Sequence, residues 1–242
     1  MIIAVKNHSN VPDPEILAAI RAINRQIAED FEPYWDLGGR LRLADRSVRS
    51  LNADAIIRIW DQGHNYHWDQ AGIPEGHVFT HLSALARETM PWLTWQSGLS
   101  HEALELITDP HLNTLARGPH PTARREVFHY VEVCDPVQSE TYQIDGVTVS
   151  NFVLPHYYNG LGQSGGRNDF LGTGLKAFRW NENGEIGFWD PRKGARGGYV
   201  SWPQYDTAHV VARYRKARGR TGRQHRYAQA SARVKGKPGR PT

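Results

Sequence analysis

The order of apolar and polar residues divides the chain into segments of two different periods. IIAV at 2–5 is a short apolar run that predicts a strand. In DPEILAAIRAINRQIAEDF, Ile16, Ile20, Ile23, Ile27 and Phe31 recur at spacings of 4, 3, 4 and 4, one apolar stripe of a helix. Asp13 is the expected N-cap and Pro14 the first helical residue. RLRLA at 40–44 alternates with period two and predicts a strand. DAIIRIWD at 54–61 and HVFTHLS at 77–83 are more apolar and predict two more. A long helix follows from about Thr94 to Thr108 and ends at Asp109-Pro110. The order is strand, helix, three strands, helix.

The second half has the shorter period. VFHYVEVC at 127–134 predicts a strand, and TYQIDGVTVSNFVL a hairpin turning at Asp145-Gly146. AFRWNENGEIGFWD at 177–190 predicts another, around Asn183-Gly184. The glycine-rich NGLGQSGGRNDFLGTG between them lacks the Lys-Ser/Thr ending and the strand-to-helix setting of a phosphate loop, which excludes that reading. No internal repeat is present.

Composition adds bounds. With 242 residues, 39% of them hydrophobic, and 8 Trp, the chain can build one large core. No apolar run approaches the length of a membrane span. MIIAVKNHSN has no charged, apolar and small-residue succession of a signal peptide, so a cytoplasmic location is expected. The single cysteine, Cys134, excludes an internal disulfide.

The net charge of +4 hides an asymmetry. Residues 211–242 hold 11 Lys/Arg and no acid, so the other 18 basic residues face all 25 acidic ones and leave residues 1–210 at −7. The expectation is one domain over 1–210, with an N-terminal sheet and active-site helix in 1–110 and a β-rich part in 111–210, followed by a disordered basic tail. Arg213, Arg215, Lys216, Arg218, Arg220, Arg223 and Arg226 suit nucleic acid or an acidic partner. A merely solubilising tail is the alternative.

The candidate chemistry lies in LSHEALELITDP at 99–110. It reads as the zinc-binding H-E-x-x-H helix with Glu105 in place of the second His. At 100° per residue, His101, Glu105, Thr108 and Asp109 share one face, bordered by Glu102, while Leu99, Ala103, Leu106 and Ile107 lie opposite. His101 and Glu105 can hold one cation, since side chains four apart meet, and Glu102 stands where a general base would take a proton from water. The alternative is a solvated polar face. For a third ligand, Glu132, flanked by Val131 and Val133, ranks first, because a carboxylate within an apolar strand needs a cation. Asp135, before Pro136, ranks second, and Cys134 reads as a small buried hydrophobe. A thiolate ligand would favour zinc, and a carboxylate-rich set manganese or calcium. In DQGHNYHWDQAG at 61–72, His64 and His67 either cap turns or, for His67, line the cleft and stabilise a transition state. Asp109 can support the ligands from the same face. Tyr199 and Tyr205 can donate to an oxyanion or simply pack in the core.

The motifs S-H-E-x-x-E-x-x-x-D-P, E-V-C-D-P-V and Y-x-I-D-G-V-x-V-S-x-F-V-L-P, spread with the N-terminal segment over about residues 1–200, resemble a family of bacterial and phage zincin-like, metallopeptidase-related proteins. The resemblance implies an α+β zincin-like fold: a mixed sheet, a backing helix and an active-site helix, then a hairpin-rich C-terminal half. It also implies that Glu105 is a family feature, and that the strand before the active helix is an edge that receives peptide. Two functions follow as expectations. One is a metal-dependent peptidase, with Glu102 as base and a divalent ion, zinc first, on His101, Glu105 and Glu132. The other is a non-enzymatic virion component or binding module whose tail holds nucleic acid.

Overall fold

A computed structural model describes residues 1–45, 52–61, 73–81, 92–159 and 166–193, and the backbone of 199–202. The first sheet is built from β1 (Ile2–Asn7), β2 (Arg40–Ala44), β3 (Ala55–Trp60) and β4 (Glu75–Phe79), in the order β2-β1-β3-β4. All three pairings are parallel. Parallel neighbours require long crossovers, and the linkers between these strands supply them. A single mixed sheet was expected; among the described residues the parallel and antiparallel pairings instead fall in separate sheets.

α1 (Asp13–Gln26) crosses from β1 to β2. Its N-cap is Pro12, one residue before the expected Asp13, which is already helical. The helix continues through a π-turn at Ile27–Phe31 into α2 (Glu32–Trp35), and stops at left-handed Asp36. The π-turn keeps the last step of the stripe inward: Ile16, Ile20, Ile23, Ile27 and Phe31 are all buried. α3 (Trp95–Thr108) starts at a capping box between Thr94 and Ser97.

Alternate strand residues Ile3, Val5, Ile57, Ile59 and Val78 join Ile20 and Ile23 of α1 and Leu99, Ala103 and Leu106 of α3 in one apolar cluster. Val133, Val149, Phe152 and Tyr157 from the second half belong to the same cluster. Gln26 ties the layers polar-to-polar: it accepts from Ser100 Oγ at 2.7 Å and donates to the Ser150 carbonyl at 2.8 Å. Such a buried amide is stable there because its partners replace water.

The second half holds β5 (Leu115–Pro119), β6 (Glu126–Tyr130), β9 (Ile186–Trp189) and β10 (Tyr199–Trp202), paired antiparallel in the order β10-β9-β6-β5. The hairpin β7 (Thr141–Ile144) and β8 (Val147–Ser150) turns at Asp145-Gly146 as expected, both residues at positive φ. Three expectations are corrected. The strand at 127–134 ends at Tyr130, because Val131 and Val133 bond to the Thr114 and Val153 backbones and Asp135-Pro136 opens a 3-10 turn. The 177–190 hairpin does not form: Phe178 and Asn183 take positive φ, and only 186–189 is a strand. β4 covers 75–79, two residues earlier than expected at its start, and 82–83 lie outside the described residues. So do His64, His67, Tyr205 and the whole tail from Arg213 to Arg226; of Tyr199 only the backbone is described. Among the described residues, no helix is long and apolar enough to cross a membrane.

Candidate metal centre

α3 is gripped on two sides. Gly98 of its first turn faces Val78 of β4, and Ser100 accepts the Ser150 amide of β8. That leaves a third side, carrying His101 and Glu105, turned toward the segment after β6. This side is not the solvated stripe of the alternative reading, since Glu105 is 2% exposed.

His101 Nε2 lies 3.2 Å from Glu105 Oε1 and 3.4 Å from Asp135 Oδ1. One donor atom from each of the three residues lies within 4.8 Å of the others, and this group could hold a metal ion. Ligands about 2.0–2.2 Å from a tetrahedral ion stand roughly 3.3–3.6 Å apart, and the two spacings about His101 match that size. Burial alone would push the His101 imidazole down, but Glu105 and Asp135 overcome it and hold the pKa well above 6.5. Without an ion, the cage is an imidazolium between two carboxylates. A metal would have to displace that proton.

The third member is Asp135, not the first-ranked Glu132. Glu132 is buried at 2% but stands outside the group of three. The ranking assumed strand alternation through 134, and the strand stops at Tyr130. The backbone around Asp135 is instead fixed from a distance. Glu185 N donates to the Asp135 carbonyl and Asn181 N to that of Pro136, each at 2.9 Å. A Cβ on Gly184 would stand 2.2 Å from the Pro136 carbonyl oxygen, so this close approach needs glycine.

Glu102 points elsewhere, toward the sheet. A Cβ on Gly76 of β4 would lie 2.7 Å from its Oε2, so the carboxylate packs over β4. Asp109 caps the end of α3 and accepts the Asn113 and Thr114 amides through Oδ1, at 2.9 and 3.1 Å. Its work is to turn the chain, and it is not in the ligand group. The Cys134 thiol is fully buried, and burial, then Glu105, push its pKa well above the usual 9.0, so it stays protonated, as the reading of a small hydrophobe requires.

Further side chains border the group. Tyr158 donates to the Glu132 carbonyl at 3.2 Å. Burial raises its phenol strongly, and Tyr157, Glu132, Glu105 and Asp135 raise it further, so all three carboxylates are felt at one place. His129 of β6 is 2% exposed, bonds through Nε2 to the Pro119 carbonyl at 3.0 Å, and is driven down to about 4, chiefly by burial. The signal for Tyr157-Tyr158 was the PHYY run directly after the hairpin motif. No family model matches the chain, and no curated protein or solved structure is significantly similar to it.

Proposed function

We propose that the chain is a metal-dependent hydrolase of zincin type acting on peptides, with His101, Glu105 and Asp135 as ligands and Glu102 as general base. The carrying observation is the buried group of three donors with spacings of 3.2 and 3.4 Å about the imidazole. The donor set, one imidazole nitrogen and two carboxylates, suits zinc or manganese better than a soft-metal site. Such an ion would supply Lewis acidity toward a carbonyl and a lowered pKa for water at the site.

The chain's own residues support the rest. The order of strands and helices through α3, with both long helices sharing one apolar cluster with the parallel sheet, supports this reading. Among the described residues β4 is an edge of its sheet, able to receive an extended peptide by strand addition. Glu102 lies over that edge and outside the ligand group, where it can take a proton from water beside a scissile carbonyl. The −7 charge of residues 1–210 beside the basic tail favours a second role, in which the tail docks nucleic acid.

Elemental analysis of wild type, His101→Ala, Glu105→Ala, Asp135→Ala and Glu102→Gln is the test. One ion per chain is expected in wild type and Glu102→Gln, and none in the alanine variants. Equal metal in all five would sink the site. Cleavage of a peptide library should fall by about 10²–10⁴-fold in Glu102→Gln. Full occupancy without any cleavage by wild type would leave a binding protein and overturn the hydrolase.

A further inference from the structure

One end of the antiparallel sheet gathers cations. The chain from His120 to Arg125 joins β5 to β6, and Pro191–Lys193 forms a 3-10 turn after β9. Asp190 ties the two loops together: its Oδ2 accepts Arg125 Nη2 at 2.7 Å, its Oδ1 the Arg192 amide at 3.1 Å and its carbonyl the Lys193 amide at 3.0 Å. His120 lies against Phe188 of β9, with ring centroids 5.2 Å apart. We infer that this corner is a docking surface for the phosphate backbone of duplex DNA, contacted by Arg124, Arg192 and Lys193 with His120 Nε2 as a further donor, and that it extends the contact made by the basic tail.

Three observations carry this. First, the one acid of the corner is turned inward. Asp190 is 1% exposed and pairs with Arg125. Arg124, Arg192 and Lys193 are exposed, and none of them pairs with a carboxylate among the described residues. Four cations against one carboxylate give the corner +3, so the rest of residues 1–210 carries −10. A polyanion is therefore drawn to this end of the body and repelled by the remainder. Second, His120 offers a hydrogen. Its Nδ1 accepts the Thr122 and Ala123 amides at 3.2 and 3.1 Å, which puts the ring hydrogen on Nε2. Burial first, then Arg125 and Lys193, hold its pKa below 6.5 against Asp190, so the ring is neutral at pH 7 and both cations are felt beside it. Third, the tail leaves from the same sheet. β10 pairs with β9, Trp202 stands opposite Ile186, and the 11 Lys/Arg of 211–242 follow after residues 203–210. Residues 203–210 can span up to about 26–29 Å when extended, so one duplex can meet corner and tail together. Three phosphate contacts are too few to hold a duplex without the tail.

The inference rests on the reading of the tail as a nucleic-acid segment, and the two can fail separately. Affinity of the full-length protein for a random-sequence duplex is measured between about 50 and 200 mM salt. Arg124→Gln with Lys193→Gln removes one cation from each loop. Its log–log slope should be shallower than that of wild type by about 1.8, two phosphate contacts at about 0.9 each. Arg21→Gln with Arg40→Gln makes the same change in net charge on exposed residues of α1 and β2, and should leave the slope as it is. Equal slopes for wild type and the corner variant, or an equal change in the control pair, overturn the corner and leave the tail. A truncation after Val210 that keeps full affinity, with the corner variant weakened, overturns the tail and leaves the corner. A wild type that binds no duplex overturns both. In wild type with ¹⁵N-labelled histidine, the His120 Nε2 resonance, assigned by its loss in His120→Gln, should move saturably as duplex is added. A resonance that stays in place overturns the corner even if the variants misfold. Binding of poly-glutamate with the same dependence on Arg124 and Lys193, and none of duplex, makes the partner an acidic protein and overturns DNA.

Discussion

Lowering the pH should destabilise the fold through His129 in a calculable way. The imidazole is buried, with its folded pKa near 4, while the unfolded chain restores the usual 6.5. A base with a depressed folded pKa contributes no penalty above 6.5. As the pH falls below that, the unfolded state binds a proton that the folded state refuses, and stability is lost until the folded group also protonates near 4. Linkage gives a loss of about 2 kcal/mol by pH 5 and about 3 kcal/mol by pH 4, with a limit of about 3.4 kcal/mol for the whole shift. For a body of this size, 2 kcal/mol corresponds to about 4–8 °C in Tm. The assay is urea unfolding at pH 8, 6, 5 and 4.5 in chelator, for wild type and His129→Gln, whose amide can still donate to Pro119. Subtracting the two curves removes the other titrating groups, which the variants share. The wild type should lose about 2 kcal/mol more than the variant between pH 8 and 5. Parallel curves would refute the buried neutral imidazole.

The ion-free cage should show the opposite sign. The raised pKa of His101 gives stability that is present below pH 6.5 and is lost as pH rises through the folded pKa, so chelated wild type should lose Tm on the alkaline side relative to His101→Ala, while metal affinity should rise with pH as the competing proton leaves. Gly184→Ala drives a methyl group against the Pro136 carbonyl and should cost about 1–3 kcal/mol, with metal affinity reduced through the displaced Asp135, read by denaturation and by metal titration. Truncation after Val210 should abolish DNA binding that otherwise weakens with salt at a log–log slope of about −0.9 per phosphate contacted, and leave Tm nearly unchanged; equal affinity of the two chains would refute a nucleic-acid tail.

Elements whose signal is local were legible in the sequence. The isoleucine stripe of α1, the Asp145-Gly146 turn and the four-residue spacing of His101 and Glu105 all stand where the pattern put them, since periodicity and turn chemistry act over a few residues. Asp135 was legible as a candidate but not as the better one. Alternation alone ran the strand on past Tyr130, and what ends it is a set of backbone bonds to Thr114, Val153, Asn181 and Glu185. Those partners are remote in sequence and leave no mark near Asp135 itself. The burial of the polar face of α3 was hidden for the same reason, because it depends on a segment beyond β6 that closes over it.

The dependence of Asp135 on residues 181–185 also sets a schedule for synthesis. His101 and Glu105 leave the ribosome with α3, early enough for that helix to dock on the parallel sheet. The groups that steady their acidic companion arrive roughly 75 residues later, which at about 5–20 residues per second means several seconds of growth. During that interval the imidazole and its first carboxylate are a two-point chelate with weak hold on any ion. If the cage takes an ion, its selection would fall to the chain once the C-terminal half has been made, and a closed cage, not the nascent helix, would make the choice.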